Sequence, residues 1–182
     1  MKLYTVGHST RTAEEFLDLL RRHAVERLVD VRAFPGSRRH PHFGRESLRA
    51  FLADAGMEYV HAPALGGRRK PRPDAPATAW RNAGFAAYAD YMATPDFRRA
   101  VDDLLKGAAV RPTAIMCSEA VPWRCHRSMI SDAVAGRGWE VAHILETSVS
   151  SHTLSPLAVL EGDEVRYPAP LEVQPALPLA GG

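Results

Sequence analysis

Cysteine, glutamate, histidine and arginine, residue types that carry much of protein chemistry, stand together in one short stretch of this chain. Cys117 and Glu119 come first, Cys125, His126 and Arg127 follow, and these are the chain's two cysteines. A thiolate is both a nucleophile and a metal ligand, whereas carboxylate and imidazole groups transfer protons. The stretch therefore suggests a nucleophilic, redox or metal-binding centre.

The position of Cys125 favours a thiolate. It lies at or just before a predicted helix N-terminus, where free backbone N–H groups and neighbouring cations lower the pKa of a thiol. Cations in a first helical turn oppose the helix dipole, so an anion is expected among them. That anion is either a bound ligand or Glu119, which would form a purely structural ion pair. A buried, inert thiol remains the alternative for Cys117.

Known cysteine motifs fit this stretch poorly. Six residues separate Cys117 from Arg124, one more than in the cysteine-phosphatase signature. Cys117, Cys125, His126 and His8 can in principle converge on a metal, but their spacing matches no zinc finger or ribbon. We therefore assign no metal ligands and leave the cofactor undetermined.

Apolar runs that alternate with helical patterns indicate the elements that position these residues. A capping box of Thr12 and Glu15 predicts the first helix. The pattern predicts a three-layer α/β/α fold with a mainly parallel sheet of about five strands. Strands are predicted at residues 3–6, 27–31, 58–62, 112–116 and 140–145, and helices after Thr12, at 47–55, between 85 and 105, and at 125–137.

The chain is long enough for one domain and a tail. We assign residues 1–152 to a single α/β domain and 153–182 to a C-terminal extension. Within the extension, Val159 to Tyr167 predicts a hairpin around Glu161-Gly162-Asp163, and the Pro-rich end after Tyr167 is predicted to be disordered.

Polar side chains follow the predicted strands. Because ligands of open parallel sheets bind at the carboxyl ends of the strands, these side chains should share one pocket. Asp30 lies inside an apolar run and needs a partner, for which Arg32 is suitably placed. Candidate catalytic residues are His8, Cys117, Glu119, Cys125 and His126. Candidate ligand-binding residues are Ser9, Asp30, Arg32, Ser37, Arg38, Gly66, Gly67, Arg68 and Arg127.

The charge is unevenly distributed. Residues 1–72 carry fourteen Lys/Arg against eight Asp/Glu, whereas residues 73–182 carry nine against thirteen, for a net charge of +2. A basic first half suits an anionic small molecule or a nucleic acid. No apolar run approaches the roughly 20 residues of a membrane span, and the N-terminus lacks a signal-peptide pattern. We expect a cytoplasmic protein that does not bind membranes, with its oligomeric state undetermined.

Several separated motifs resemble one known family. They are Tyr4-Thr5-Val6-Gly7-His8-Ser9, Asp30-Val31-Arg32 with Pro35 and Ser37-Arg38, Tyr59 with Leu65-Gly66-Gly67, and Cys117-x-Glu119 with Pro122 and Cys125-His126-Arg127. In this order they resemble the prokaryotic family called domain of unknown function 488, over residues 1 to about 152. The resemblance implies an α/β fold and no particular reaction.

The residues lead to one main hypothesis. It is a strand-end pocket that binds an anionic, nucleotide-like ligand and that belongs to an enzyme or a ligand-binding protein using a Cys/Glu/His/Arg cluster. The residue types leave open whether the pocket catalyses a reaction. The alternative is a non-catalytic module that binds nucleic acid, a metal or haem.

Overall fold

A six-stranded sheet forms the centre of the protein, in the strand order β3-β2-β4-β1-β5-β6. The structure is a computed structural model, and it describes residues 1–36 and 39–170. The first five strands pair in parallel and β6 pairs antiparallel to β5. The strands are β1 (Lys2–Gly7), β2 (Arg27–Asp30), β3 (Glu58–His61), β4 (Thr113–Cys117), β5 (Glu140–Ile144) and β6 (Val149–Ser151).

Helices lie between the successive parallel strands, as is usual for crossover connections. The first helix begins after the predicted capping box, in which Thr12 and Glu15 each accept a bond from the other's backbone N–H. The helices are α1 (Ala13–Arg22), α2 (Arg45–Asp54), α3 (Ala83–Met92), α4 (Pro95–Val110) and α5 (Arg127–Gly136), with short 3-10 helices at Pro41–Phe43, Pro63–Leu65 and Pro122–Arg124.

Each face of the sheet is covered by its own helices. Because successive side chains of a strand point to opposite faces, β4 contributes Ala114 and Met116 to one core cluster and Ile115 and Cys117 to the other. The first cluster contains the apolar sides of α1 and α2, and the second those of α3, α4 and α5. The predicted three-layer α/β fold is therefore confirmed, and Cys117 faces the layer that contains α5.

The sheet is larger than predicted because β6 adds an antiparallel edge strand. The predicted hairpin is also present, as β7 (Val159–Glu161) and β8 (Glu164–Arg166), with Gly162 in the turn at a φ of 68°. Glycine accommodates this left-handed conformation without strain. The end predicted to be disordered after Tyr167 starts with Pro168, which forms an isolated β-bridge with Thr78, and its residues from 171 onward lie outside the described residues.

None of the helices in the described part of the chain is both long enough and apolar enough to cross a membrane.

Candidate functional site

The turn from Cys117 to Arg127 joins the end of β4 to the start of α5. Its first residues are held against β1, because the backbone N–H of His8 donates to the Cys117 carbonyl at 3.0 Å. The backbone of Glu119 approaches Gly7 closely. A Cβ on residue 7 would lie 1.8 Å from the backbone carbonyl oxygen of Glu119. Only glycine leaves room for this approach. The helix α5 begins two residues later than predicted, so Cys125 lies in extended backbone just before it.

Three of the predicted residues come together at this turn. The Sγ atoms of Cys117 and Cys125 and a ring nitrogen of His126 all lie within 4.8 Å of one another, and all three side chains line the same cavity. Neither cysteine forms a disulfide. His8 is not part of this group, so three of the four residues that could in principle converge come together.

His126 presents a lone pair to the cysteines. Its Nε2 lies 3.1 Å from the Val31 carbonyl oxygen, an acceptor, so Nε2 carries the proton. Burial lowers the pKa of His126 and keeps the ring neutral. Its Nδ1 therefore carries no hydrogen and faces the Cys125 Sγ at 3.4 Å.

Close packing fixes the orientation of the His126 ring. Tyr88 is fully buried and lies edge-on to the ring at 5.3 Å between centroids, and its hydroxyl donates to the Leu65 carbonyl at 2.8 Å. On the other side, a Cβ on Gly67 would lie 2.4 Å from Nδ1. Gly67 thus belongs to the site because it lets the backbone approach His126.

Arg127 is buried without a carboxylate partner. Its side chain is 1% exposed, and its Nη2 donates to the backbone carbonyl of Glu119. Among the described residues, neither Arg127 nor the Glu119 carboxylate forms an ion pair, and the Arg127 Nε has no hydrogen-bond partner. Within this part of the chain, the structural Glu119 ion pair considered from the sequence is therefore not present.

The two cysteines have opposite tendencies to ionise. The Cys117 thiol and the Arg127 guanidinium and backbone N–H lower the pKa of Cys125 to about 6, although burial opposes them. The pKa of Cys117 is raised, first by its hydrogen bond to Cys125 and then by burial. One proton shared by the pair therefore resides on Cys117 and leaves Cys125 as the thiolate.

Asp30 and Arg32 form the buried pair expected from the sequence. The Arg32 Nη2 and Nε donate to the two Asp30 carboxylate oxygens at 2.6 and 2.9 Å, and Tyr59 donates to Asp30 at 2.7 Å. The remaining Nη1 of Arg32 lies 3.3 Å from the His8 Nε2. Since Asp30 and the Phe43 carbonyl accept from Nε and Nη2 and His8 accepts one hydrogen of Nη1, only the second hydrogen of Nη1 remains for a ligand.

His8 is neutral, and both of its ring nitrogens form hydrogen bonds. Its Nδ1 donates to the Ser9 carbonyl at 2.9 Å, so its Nε2 is the acceptor that faces Arg32. Burial and the positive charge of Arg32 lower the pKa of His8 to about 4. His8 stacks on Phe43 at 4.2 Å and is separate from the thiol cluster.

Two adjoining cavities open at the strand ends. The thiol cavity, of about 400 Å³, contains the cysteines and His126 on its wall, and the histidine cavity, of about 600 Å³, contains His8 and Ser9. Both cavities share Arg32, Phe34, Arg68, Ser118 and Glu119. The sequence thus placed its candidates at one edge of the sheet, but the structure divides them between two neighbouring spaces.

The Arg-rich loop after Gly67 borders both cavities. Exposed Arg68 lies 6.0 Å from the Phe34 ring, and Phe34 itself is 73% exposed. The loop is anchored further along by Arg72, which donates to Asp90 at 2.6 and 2.7 Å. The mouth of the thiol cavity is therefore bordered by cationic and aromatic side chains.

Four candidates remain, of which the structure describes two. Ser9 lines the histidine cavity with a φ of 51°. Gly66 is buried, and a Cβ there would lie 3.0 Å from Ala33, so it supports the backbone and does not line either cavity. Ser37 and Arg38 lie outside the described residues.

A buried polar network near α5 was missed by sequence reasoning. The Asp132 carboxylate accepts from His152 at 2.8 Å and from the Tyr167 hydroxyl at 2.6 Å. The other nitrogen of His152 lies 3.0 Å from His143, which in turn accepts from Thr5 at 2.8 Å. These residues are far apart in sequence and match no motif, and the only available signal was Asp132 within an apolar helical pattern.

Fold and site define a class: an α/β protein with a thiol-imidazole pocket at the carboxyl ends of its parallel strands. The profile of one family, described as Domain of unknown function DUF488, matches residues 12–134, which is more than half of the chain. The chain belongs to this family, as its motifs suggested. Comparison with curated proteins and with solved structures gives no match.

Proposed function

We propose that the protein is an enzyme that binds a small anionic, nucleotide-like ligand in the thiol cavity and acts on it with the Cys125 thiolate. Cys117 is the hydrogen-bond donor that stabilises the thiolate, and His126 is the neutral imidazole beside it. Arg68 and Arg124 at the cavity wall are the groups that attract the anion.

One observation carries the proposal: Arg127 is buried beside Cys125 and has no carboxylate partner in the described part of the chain. A buried cation without a counter-ion costs several kcal/mol. A thiolate at Cys125 supplies the missing negative charge. Because a purely structural cysteine needs no such neighbour, the arrangement favours a reactive one.

The lining of the cavity suggests the class of ligand. Arg32 offers the second hydrogen of its Nη1, while Arg68 and Arg124 are exposed side chains of the cavity wall that can donate to a phosphate or carboxylate. Phe34 and Phe85 also line the cavity and present aromatic faces on which a base can stack. A volume of about 400 Å³ is within the usual range of small-ligand sites.

The proposed chemistry is nucleophilic. The Cys125 Sγ, already ionised beside Cys117 and Arg127, donates its electron pair to an electrophilic atom of the ligand. A new bond to sulfur forms, and the leaving group departs with the electrons of the bond that breaks. The exposed Glu119 side chain, also in the cavity wall, can orient a water molecule that protonates that leaving group.

Ligand binding provides the test. Metal-free protein is titrated with adenosine monophosphate and with inorganic phosphate, and protection of Cys125 from iodoacetamide is measured by peptide mapping. Since each charge-assisted hydrogen bond contributes about 1.5–3 kcal/mol, replacing both Arg68 and Arg124 by alanine should weaken binding at least ~100-fold.

The matched control removes the same charge elsewhere. Arg45 and Arg49 are exposed on α2 and line neither cavity, so their double alanine variant should bind as the wild type does. Absence of protection by both ligands, or an equal loss in the two double variants, would refute the proposal.

A further inference from the structure

The donor atoms at the end of β4 are arranged as a metal site. We infer that Cys117, Cys125 and His126 bind one soft transition-metal ion of the Zn²⁺ type, with a fourth coordination position that faces the thiol cavity. The inference goes beyond the proposed function, on which it rests only for the identity of Cys125 as the reactive thiolate.

The first argument concerns hydrogen-bond donors. The Val31 carbonyl holds the proton of His126 on Nε2, so Nδ1 offers a lone pair to the Cys125 sulfur at 3.4 Å. The lone pairs of Nδ1 and of the two sulfur atoms thus converge on one small space, where a bound cation would accept all three.

The second argument is geometric. A tetrahedral zinc ion with Zn–S of about 2.3 Å and Zn–N of about 2.05 Å places sulfur and nitrogen ~3.6 Å apart, and two sulfurs ~3.8 Å apart. The observed Sγ–Nδ1 distance of 3.4 Å already matches, and no two donor atoms are more than 4.8 Å apart. Zinc binding therefore requires the donor atoms to approach one another by about 1 Å at most, to reach the donor–donor distances of a tetrahedral site.

The third argument lies in the surroundings of the donors. A metal-binding histidine usually donates its other N–H to a carbonyl or carboxylate that fixes the ring, as His126 does to Val31. Because Gly67 has no side chain, it does not cover the His126 Nδ1. Tyr88 packs edge-on against the His126 ring.

The charge balance identifies the fourth ligand. Two thiolates neutralise a divalent ion, so the buried positive charge of Arg127 remains uncompensated. An anionic ligand in the thiol cavity completes both the coordination and the charge. Two cysteines, one histidine and one open position are typical of a catalytic zinc site, since structural sites are closed by four protein ligands.

The site also implies regulation. A zinc-bound thiolate is protected from electrophiles, so metal occupancy determines whether Cys125 can act as a nucleophile. The metal-free and metal-bound forms should therefore differ sharply in the alkylation of Cys125.

The experiment uses the full chain with Zn²⁺ and Co²⁺ as probes. The protein is stripped with a chelator, and Zn²⁺ binding is measured by competition with a chromophoric chelator. We expect one ion per chain, thiolate-to-metal absorption in the Co²⁺ form, and protection of both cysteines from iodoacetamide.

Two variants test the ligands and one serves as the control. His126→Ala and Cys117→Ser should each weaken Zn²⁺ binding by more than the ~10–100-fold loss caused by removing an outer-shell partner. His8→Ala removes a histidine whose two nitrogens are already engaged, and it should bind Zn²⁺ as the wild type does.

Protection of the wild-type cysteines by Zn²⁺ does not depend on any variant and remains informative if a variant fails to fold. Unprotected cysteines at saturating Zn²⁺, or equal losses in His126→Ala and His8→Ala, would overturn the metal site. Anion binding by the metal-free protein would still support the proposed function in that case, so the two failures are distinguishable.

Discussion

Replacing Arg127 by methionine tests whether a buried guanidinium controls the thiol chemistry. Methionine has a similar length, fills the same space and carries no charge. A cation within ~4–6 Å lowers the pKa of an acidic group by about 1–3 units. Arg127 acts on Cys125 both through its charge and through hydrogen bonding, so we expect its loss to raise the pKa of Cys125 from about 6 to about 8.

The assay is the rate of iodoacetamide labelling of Cys125 in chelator-treated protein as a function of pH, resolved by peptide mapping. At pH 7, the thiolate fraction is about 0.9 for a pKa of 6 and about 0.1 for a pKa of 8. Labelling of the variant should thus be about tenfold slower at pH 7 and should recover at higher pH.

Arg124→Met is the matched control, because it removes the same charge from an exposed residue of the same cavity wall. Solvent and salt screen that charge, so its profile should shift by less than about half a pH unit. Superimposable profiles for the wild type and Arg127→Met, or equal shifts in the two variants, would refute the reasoning.

The same variant should change the dependence of stability on pH. Folding lowers the pKa of Cys125 from its ordinary value of 9.0 to about 6, so the thiolate stabilises the fold fully above pH 9. That contribution is lost as the pH falls through 6. Urea unfolding between these pH values should therefore show a weaker pH dependence in Arg127→Met than in the wild type.

Two other substitutions test the surroundings of the site. Gly67→Ala should displace the His126 ring and weaken Zn²⁺ binding, because the new methyl group would lie 2.4 Å from Nδ1; Gly36→Ala, with nothing within 4 Å, should leave competition titrations unchanged. Asp30→Ala leaves the buried cation of Arg32 unpaired and should lower the free energy of unfolding in urea by about 3–5 kcal/mol. A loss below about 1 kcal/mol, the value of an exposed ion pair, would show that the Asp30 pair is solvated.

The fold could be predicted because its signals are local. The Thr12 capping box, the apolar runs and the glycine turns each act within a few residues, and parallel strands separated by helices leave few topologies. The edge strand β6 was missed because Val149–Ser151 is short and polar. Its place in the sheet depends on pairing with β5, which no local pattern encodes.

The candidate site was predicted by the same topological argument. Parallel strands bring their carboxyl ends to one edge, so the turn after β4 had to lie near those after β1 and β2. The alternation of side chains along a strand also indicated the Asp30–Arg32 pair, but residue types did not reveal that Arg127 would be buried beside Cys125. That burial depends on the direction of the Arg127 side chain, which a sequence pattern does not determine.

In the Asp132 network, residues beyond the matched family region hydrogen-bond to a buried carboxylate within it. Asp132 lies within the matched family region, but it accepts hydrogen bonds from His152, from the backbone of Ser155 and from Tyr167, all of which lie beyond it. A hydrogen bond to a charged group contributes about 1.5–3 kcal/mol. Because three such bonds are lost together and a buried carboxylate is removed with them, Asp132→Ala should lower the free energy of unfolding by about 3 kcal/mol or more.

Asp163→Ala, an exposed residue in the hairpin turn, is the control and should change the free energy of unfolding by less than about 0.5 kcal/mol. Hydrogen exchange of the amides in β6 and β8 locates the effect: their protection should fall in Asp132→Ala, since His152 directly follows β6 and Tyr167 directly follows β8. Unchanged protection there, together with a lower overall stability, would mean that Asp132 stabilises α5 alone and that the segment after β5 is held by its apolar contacts.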